Sequence, residues 1–138
     1  MLFRSLPLDA HFAIGNFIRD AIAGGPIRIG GDGTPMRSYL YAADLAVWLW
    51  TILFRGKSNR AYNVGSSEDL SIKEFAEKVA AVLNPYVEIQ VANSPRNPKN
   101  PLRYVPNTDR AKNELGLSPR IGIEQAIARV EKWVSCAY

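Results

Sequence analysis

Cysteine and histidine are almost missing from this sequence: Cys136 lies beside the C-terminus, His11 lies near the start, and there is no second residue of either kind. A single thiol excludes a disulfide framework within the chain and a thiolate metal cage, and a single imidazole without a His or Cys at ligand spacing excludes a zinc site. Long hydrophobic runs are also lacking. The most apolar stretch, Leu45 to Phe54, is broken by Thr51 and falls far short of the roughly 20 residues that cross a bilayer. Met1-Leu2-Phe3-Arg4-Ser5 lacks the apolar core of a signal peptide. These absences predict a cytoplasmic chain with no membrane partner. Nor is there a run of like charge. The 17 Lys and Arg against 13 Asp and Glu leave a net charge of +4, scattered along the chain, which suits a small phosphate-bearing partner and gives no indication of nucleic acid.

What is present is an ordinary globular composition. With 47% hydrophobic and 22% charged residues in 138, the chain can bury one core and is too short for two comfortable domains, so a single domain over 1–138 is expected. Apolar residues at Phe12, Ile14, Phe17, Ile18, Ala21 and Ile22 have helical spacing, and Gly24-Gly25-Pro26 stops that helix. Ile27 to Ile29 alternates as a strand, Gly30 to Pro35 is a turn, and Arg37 to Tyr41 alternates again. Asp44 opens a helix through Leu53 that is apolar nearly all round, so burial on more than one side is expected. Trp48 and Trp50, two residues apart, point to opposite sides of that helix, and both read as core. Tyr62-Asn63-Val64 reads as a short strand. Ser71-Ile72-Lys73-Glu74 has the form of a capping box ahead of a helix carrying Phe75, Ala76, Val79, Ala80 and Leu83. Val87 to Val91 alternates as a strand, and Asn93 to Pro101 is an irregular loop rich in Pro and Asn. Asn107 or Thr108 caps a short helix ending at Leu115-Gly116. A last helix from about Ile123 carries Ala126, Ile127, Val130, Trp133 and Val134 on one face.

Three stretches together resemble one family. Gly31-Asp32-Gly33-Thr34-Pro35-Met36-Arg37-Ser38-Tyr39-Leu40-Tyr41-Ala42-Ala43-Asp44-Leu45-Ala46 resembles a segment of the NAD-dependent nucleoside-diphosphate-sugar epimerases and dehydratases, which are extended short-chain dehydrogenases/reductases. Tyr62-Asn63-Val64-Gly65 with Ser71-Ile72 to Phe75 is similar to the strand and helix that follow. Arg103-Tyr104-Val105-Pro106, Arg110-Ala111 and Leu115-Gly116-Leu117-Ser118-Pro119 resemble the family's ending. In this order they cover most of the chain from Leu6 onward. The resemblance implies an α/β fold: the substrate-binding C-terminal portion of the extended fold, lacking most of the Rossmann sheet. It also implies NAD as the cofactor of intact relatives and a nucleoside-diphosphate sugar as partner. The family's Gly-rich dinucleotide loop and its Tyr-x-x-x-Lys pair do not occur in these 138 residues, so no catalytic, cofactor-binding or metal residue is assigned and no cofactor is expected on this chain alone.

By the same resemblance, Arg37 contacts the nucleotide-sugar phosphates, a task that suits a guanidinium fork; the other reading is a surface arginine on a strand. Ile29 matches the position that packs on the nucleotide base, or else is an ordinary strand residue. Arg96 and Arg103 flank the loop where the family has a second phosphate-binding arginine. Arg96 is one residue out of register and followed by Asn97-Pro98, so a solvated loop charge is the alternative there. His11 could stand in for a sugar contact or cap a helix. Asp44 and Asn107 read as structural residues near helix N-termini. In the intact family the helix of Leu45 to Leu53 packs on the cofactor-domain sheet. Without that sheet a homo-oligomer or the missing N-terminal half is expected to cover it. Three functions stay open: the substrate side of a sugar-nucleotide epimerase or dehydratase that is not catalytic alone, a stand-alone nucleotide-sugar module, and an oligomerising remnant that binds nothing specific.

Overall fold

A computed structural model of the chain describes residues 13–94 and 101–137. The first helix, α1 (Ala13–Ile22), presses Phe17, Ile18 and Ala21 inward. It stops where Gly24 takes a left-handed backbone with φ of 71°, a conformation glycine adopts without steric cost. Strand β1 (Ile27–Ile29) buries Ile27 and Ile29 and leaves Arg28 outside. Strand β2 (Met36–Ser38) follows, shorter than the alternation of Arg37 to Tyr41 suggests. The two strands do not pair with one another. β1 runs parallel to β4 (Ile89–Val91), Ile27 opposite Ile89. β2 is the centre of a second sheet, antiparallel to β3 (Asp69–Ser71) and parallel to β5 (Arg103–Tyr104). The turn between β1 and β2 is therefore a crossing between sheets.

The strand expected at Tyr62-Asn63-Val64 does not form. Its side chains are engaged elsewhere: the Tyr62 hydroxyl donates to Glu114 at 2.9 Å, and the Asn63 amide donates to the Asn107 carbonyl at 2.9 Å. The segment is thereby fastened to α4 (Asp109–Leu115), and the sheet strand comes a few residues later.

Helix α3 (Ile72–Leu83) begins with the expected capping box. Ser71 Oγ accepts from the Glu74 amide at 3.0 Å, and Glu74 accepts from the Ser71 amide at 2.7 Å. Phe75, Ala76, Val79 and Ala80 turn inward to meet α1, β1 and Ile127 of α5 (Ile123–Ala137) in the larger core. Ser71→Ala is expected to cost about 1 kcal/mol, read as a lowered urea midpoint with unchanged slope. The Glu74 carboxyl lies below the ordinary carboxylate range, chiefly through the Ser71 amide and then its hydroxyl. A depressed folded-state pKa stabilises above the unfolded value, and that contribution fades as pH falls through the folded one.

Helix α2 (Ala42–Arg55) belongs to a second core, in which Trp48 packs with Ala111, Leu115 and Leu117. Trp50 departs from the expectation of burial. It is 60% exposed, along with Val47, Leu49, Leu53 and Phe54, because the described elements cover α2 on one side only. Asp44 is buried at 4% exposure and is structural, but its partners are distant in sequence: its Oδ2 accepts from the amides of Arg120 and Ile121, each at 3.0 Å. Asn107 Oδ1 accepts from the Asp109 amide at 2.9 Å, and Gly116 closes α4 with φ of 70°.

Candidate functional site

The turn after β1 shapes a groove. Asp32 Oδ1 accepts from the Thr34 amide at 3.1 Å and from its hydroxyl at 2.9 Å, an Asx turn that folds the chain back. Gly33 has φ of 74°, and a Cβ there would come 3.0 Å from the Cβ of Lys73, so glycine alone fits both the backbone and the space. The turn is pinned to the start of α3 by the Lys73 amide donating to Gly33 and the Ile72 amide to Pro35, at 3.0 and 3.1 Å. Between this turn, α1 and β1 lies a groove of about 290 Å3 walled by Asn16, Phe17, Arg28, Ile29, Ile72 and the glycines.

Ile29 is only 3% exposed, so it serves the core first and reaches the groove as part of its floor. Asn16 and Arg28 were not singled out in the sequence. The signal for Arg28 was available: it is the polar middle residue of an Ile-Arg-Ile strand, which alternation sends outward. The Arg28 side chain makes no hydrogen bond or ion pair with another described residue.

Arg37 occupies the middle of the three-stranded sheet, opposite Leu70 on one side and Tyr104 on the other. It is half-buried. Its Nη1 donates to the Met36 carbonyl at 2.8 Å, and it has no carboxylate partner among the described residues. Tyr39, two residues on, packs on Phe75 with ring centroids 4.5 Å apart. Burial raises the Tyr39 phenol's pKa, and the Arg37 charge partly opposes that rise. Arg103 is placed differently. It sits opposite Met36, and neighbours in register share a face, so Arg103 and Arg37 leave opposite faces of the sheet. Arg103 Nε also donates to Asp69 Oδ2 at 2.6 Å. The structure thus brings Ile29 to the groove and Arg37 to the sheet whose central strand leaves it at Pro35, and it separates Arg103 from Arg37. Arg96 and His11 lie outside the described residues.

A second, larger groove of about 550 Å3 runs along Ser38, Leu40, Val64, Gly65, Val105 and Pro106. Its wall is set by close packing: a Cβ on Gly65 would come 2.5 Å from Pro106 Cγ. Ser38 Oγ donates to the Ser66 carbonyl at 2.6 Å and accepts from the Ser66 amide at 3.0 Å.

The turn after β1 does not fit the pyrophosphate of NAD. The glycine-rich turn joins two strands and leads into no helix, so it supplies no helix N-terminus for a pyrophosphate, and its own carboxylate, Asp32, turns back on Thr34. Among the described residues no cluster of His, Cys, Asp or Glu could hold a metal ion, and no helix is long and apolar enough to cross a membrane.

Comparison with known proteins gives the arrangement its context. The family model for GDP-mannose 4,6 dehydratase matches residues 13–130. The dTDP-glucose 4,6-dehydratase of Xanthomonas campestris pv. campestris is 30% identical over 124 residues, covering 84% of this chain and 35% of that protein. The structure of Pal from Bacillus thuringiensis superposes with a TM-score of 0.78 at 25% identity, over 94% of this chain and 41% of that one. The dTDP-glucose 4,6-dehydratase from Bacillus anthracis, solved in complex with NAD, gives 0.73 at 22% identity, over 91% and 39%. The chain spans about a third of the length of the curated relatives it matches, and its fold is the corresponding portion of theirs. The breadth of the family match, with the order of segments from the glycine turn to the closing helix, places the protein: it belongs to the extended short-chain dehydrogenase/reductase family, with the GDP-mannose 4,6 dehydratases as its matching model.

Proposed function

We propose that this chain is the nucleotide-sugar-binding portion of an NAD-dependent sugar-nucleotide epimerase or dehydratase, not catalytic alone, acting as one substrate-side unit. The observation that carries this reading is Arg37: a half-buried guanidinium with no carboxylate partner among the described residues, on the strand that leaves the groove containing Ile29 and Arg28. A cation held partly out of water without a counter-charge favours an anionic ligand. A nucleoside diphosphate supplies that charge, with its base lying over the Ile29 floor. Arg103 contributes less, because Asp69 already occupies it; Arg96, which lies outside the described residues, stays a sequence candidate for a further phosphate contact.

Titration calorimetry with UDP- and dTDP-sugars tests the assignment. Arg37→Ala is expected to weaken binding by roughly 10- to 100-fold, the worth of one or two charge-assisted hydrogen bonds, and Arg103→Ala by much less. Equal affinity of Arg37→Ala and the unaltered chain would remove Arg37 as the anchor. Absence of heat with every sugar nucleotide would favour the other reading, an oligomerising remnant. One observation speaks for assembly in either case: the outer side of α2 is apolar and exposed, which calls for a second copy or for the rest of the family's fold.

A further inference from the structure

We propose that the groove between α1 and β1 selects guanine as the base of the nucleotide, with Arg28 and Asn16 as the residues that read it. This rests on the nucleotide-sugar reading above and names the substrate class within it. The groove of about 290 Å3 is at the small end of ligand pockets, about 300–1,000 Å3, so it takes one end of a nucleotide sugar and not the whole. Its charges say which end. Arg28 contributes a cation and Asp32 a carboxylate, and a wall carrying both signs gives a diphosphate no net attraction. The uncharged base is the end that suits it. The phosphates fall to Arg37, which is not part of this wall.

The wall holds groups that the fold itself does not use. The Asn16 side chain is half-buried and makes no hydrogen bond with another described residue, although it sits inside α1, where asparagine is a poor helix former. Arg28 is likewise unpaired among the described residues. Gly30 and Gly31 have no positive φ, and a Cβ on either would meet nothing within 4 Å. Neither backbone nor packing therefore demands glycine there, and glycine costs more entropy to order than any other residue. The result is two hydrogen-bonding side chains beside a bare stretch of wall.

Hydrogen-bond chemistry then discriminates among the bases. A guanidinium only donates, so Arg28 needs adjacent acceptors. Guanine offers O6 and N7 side by side, whereas adenine sets an amino donor beside N7 and cytosine presents an amino donor. Thymine and uracil have one carbonyl on that edge, next to a methyl group or a C–H. The Asn16 amide oxygen accepts from the N2 amino group, which guanine alone carries. The missing side chains at Gly30 and Gly31 leave room for the second ring of a purine.

Titration calorimetry of the full chain with GDP, IDP, ADP, CDP, UDP and dTDP tests this directly. GDP is expected to bind about 10- to 100-fold more tightly than ADP, CDP, UDP or dTDP, the worth of one bidentate base contact. IDP, which keeps O6 and N7 but lacks the amino group, should fall between. Arg28→Leu, at an exposed position, is expected to bring GDP down to the level of UDP while leaving UDP unchanged. Asn16→Ala should make GDP and IDP equal. Gly30→Leu should keep its circular dichroism, since a side chain there meets open space, and bind GDP much more weakly. UDP or dTDP binding as tightly as GDP, with Arg37→Ala weakening all of them alike, would overturn the choice of base and leave the nucleotide-sugar reading standing. No heat with any nucleotide would remove both. A preference for GDP that survives Arg28→Leu would overturn the proposal as well.

Discussion

Phe75→Ala is expected to lower the unfolding free energy by about 3–5 kcal/mol, a large share of the roughly 5–15 kcal/mol that holds an ordinary domain. Phe75 is 1% exposed and lies where three elements converge. Its ring packs on Tyr39 at 4.5 Å and on Phe17 at 6.3 Å, joining the tail of β2 to α1 through α3. Truncation removes the ring's burial and leaves a void whose walls are held by two separate sheets and therefore collapse poorly. Guanidinium unfolding monitored by circular dichroism is the measurement, and Phe75→Leu should recover a good part of the loss by refilling the space. A shift below about 1 kcal/mol for the alanine variant would mean that the larger core is not organised around this ring.

Asp44→Ala ranks second, at roughly 3 kcal/mol. The carboxylate is nearly sealed from water and ties the first turn of α2 to the amides of Arg120 and Ile121, just ahead of α5. Alanine leaves two donors facing an empty space in which water replaces the carboxylate poorly. Asp44→Asn keeps an acceptor oxygen without the charge, so its loss should be clearly smaller. Hydrogen exchange gives a local readout: the Arg120 and Ile121 amides are expected to be protected in the unaltered chain and to exchange much faster in the alanine variant. If those amides exchange equally in both, the tie is not what docks α5.

The part of the fold legible in the sequence was the part decided locally. The α3 capping box needs only Ser71 and Glu74, three residues apart, and it formed as read; so did the glycine stop after α4. Tyr62 to Val64 shows where local reading ends. Its alternation suits a strand, yet a strand needs a neighbour, and its side chains bond to Glu114 and the Asn107 backbone instead. β3 and β5 carry no pattern of their own, since three- and two-residue strands are defined by what lies beside them. For Trp48 and Trp50 the helical period correctly separated the two sides. Which side finds a cover depends on contacts far along the chain, and only Trp48 has one among the described residues. Arg37 and Ile29 were singled out as candidates through a motif. That Arg37 and Arg103 leave opposite faces depends on the β2–β5 register, which no local pattern encodes.

The crossing of the chain between two sheets also bears on how the protein folds. Each parallel pairing, Ile27 with Ile89 and Met36 with Arg103, joins segments separated by the whole of α2 and α3. Closing such loops costs entropy before any strand contact compensates for it, and topologies dominated by distant pairings fold slowly. The α3 turn with its capping box can form early on its own, while both sheets wait for the same long search. Refolding should therefore be slow for a chain of this length, with helical signal preceding the burial of Ile27 and Ile29. During that interval the edge of β2 is open to pairing with another molecule, which makes dilute refolding the condition under which this sequence most readily reaches its native form.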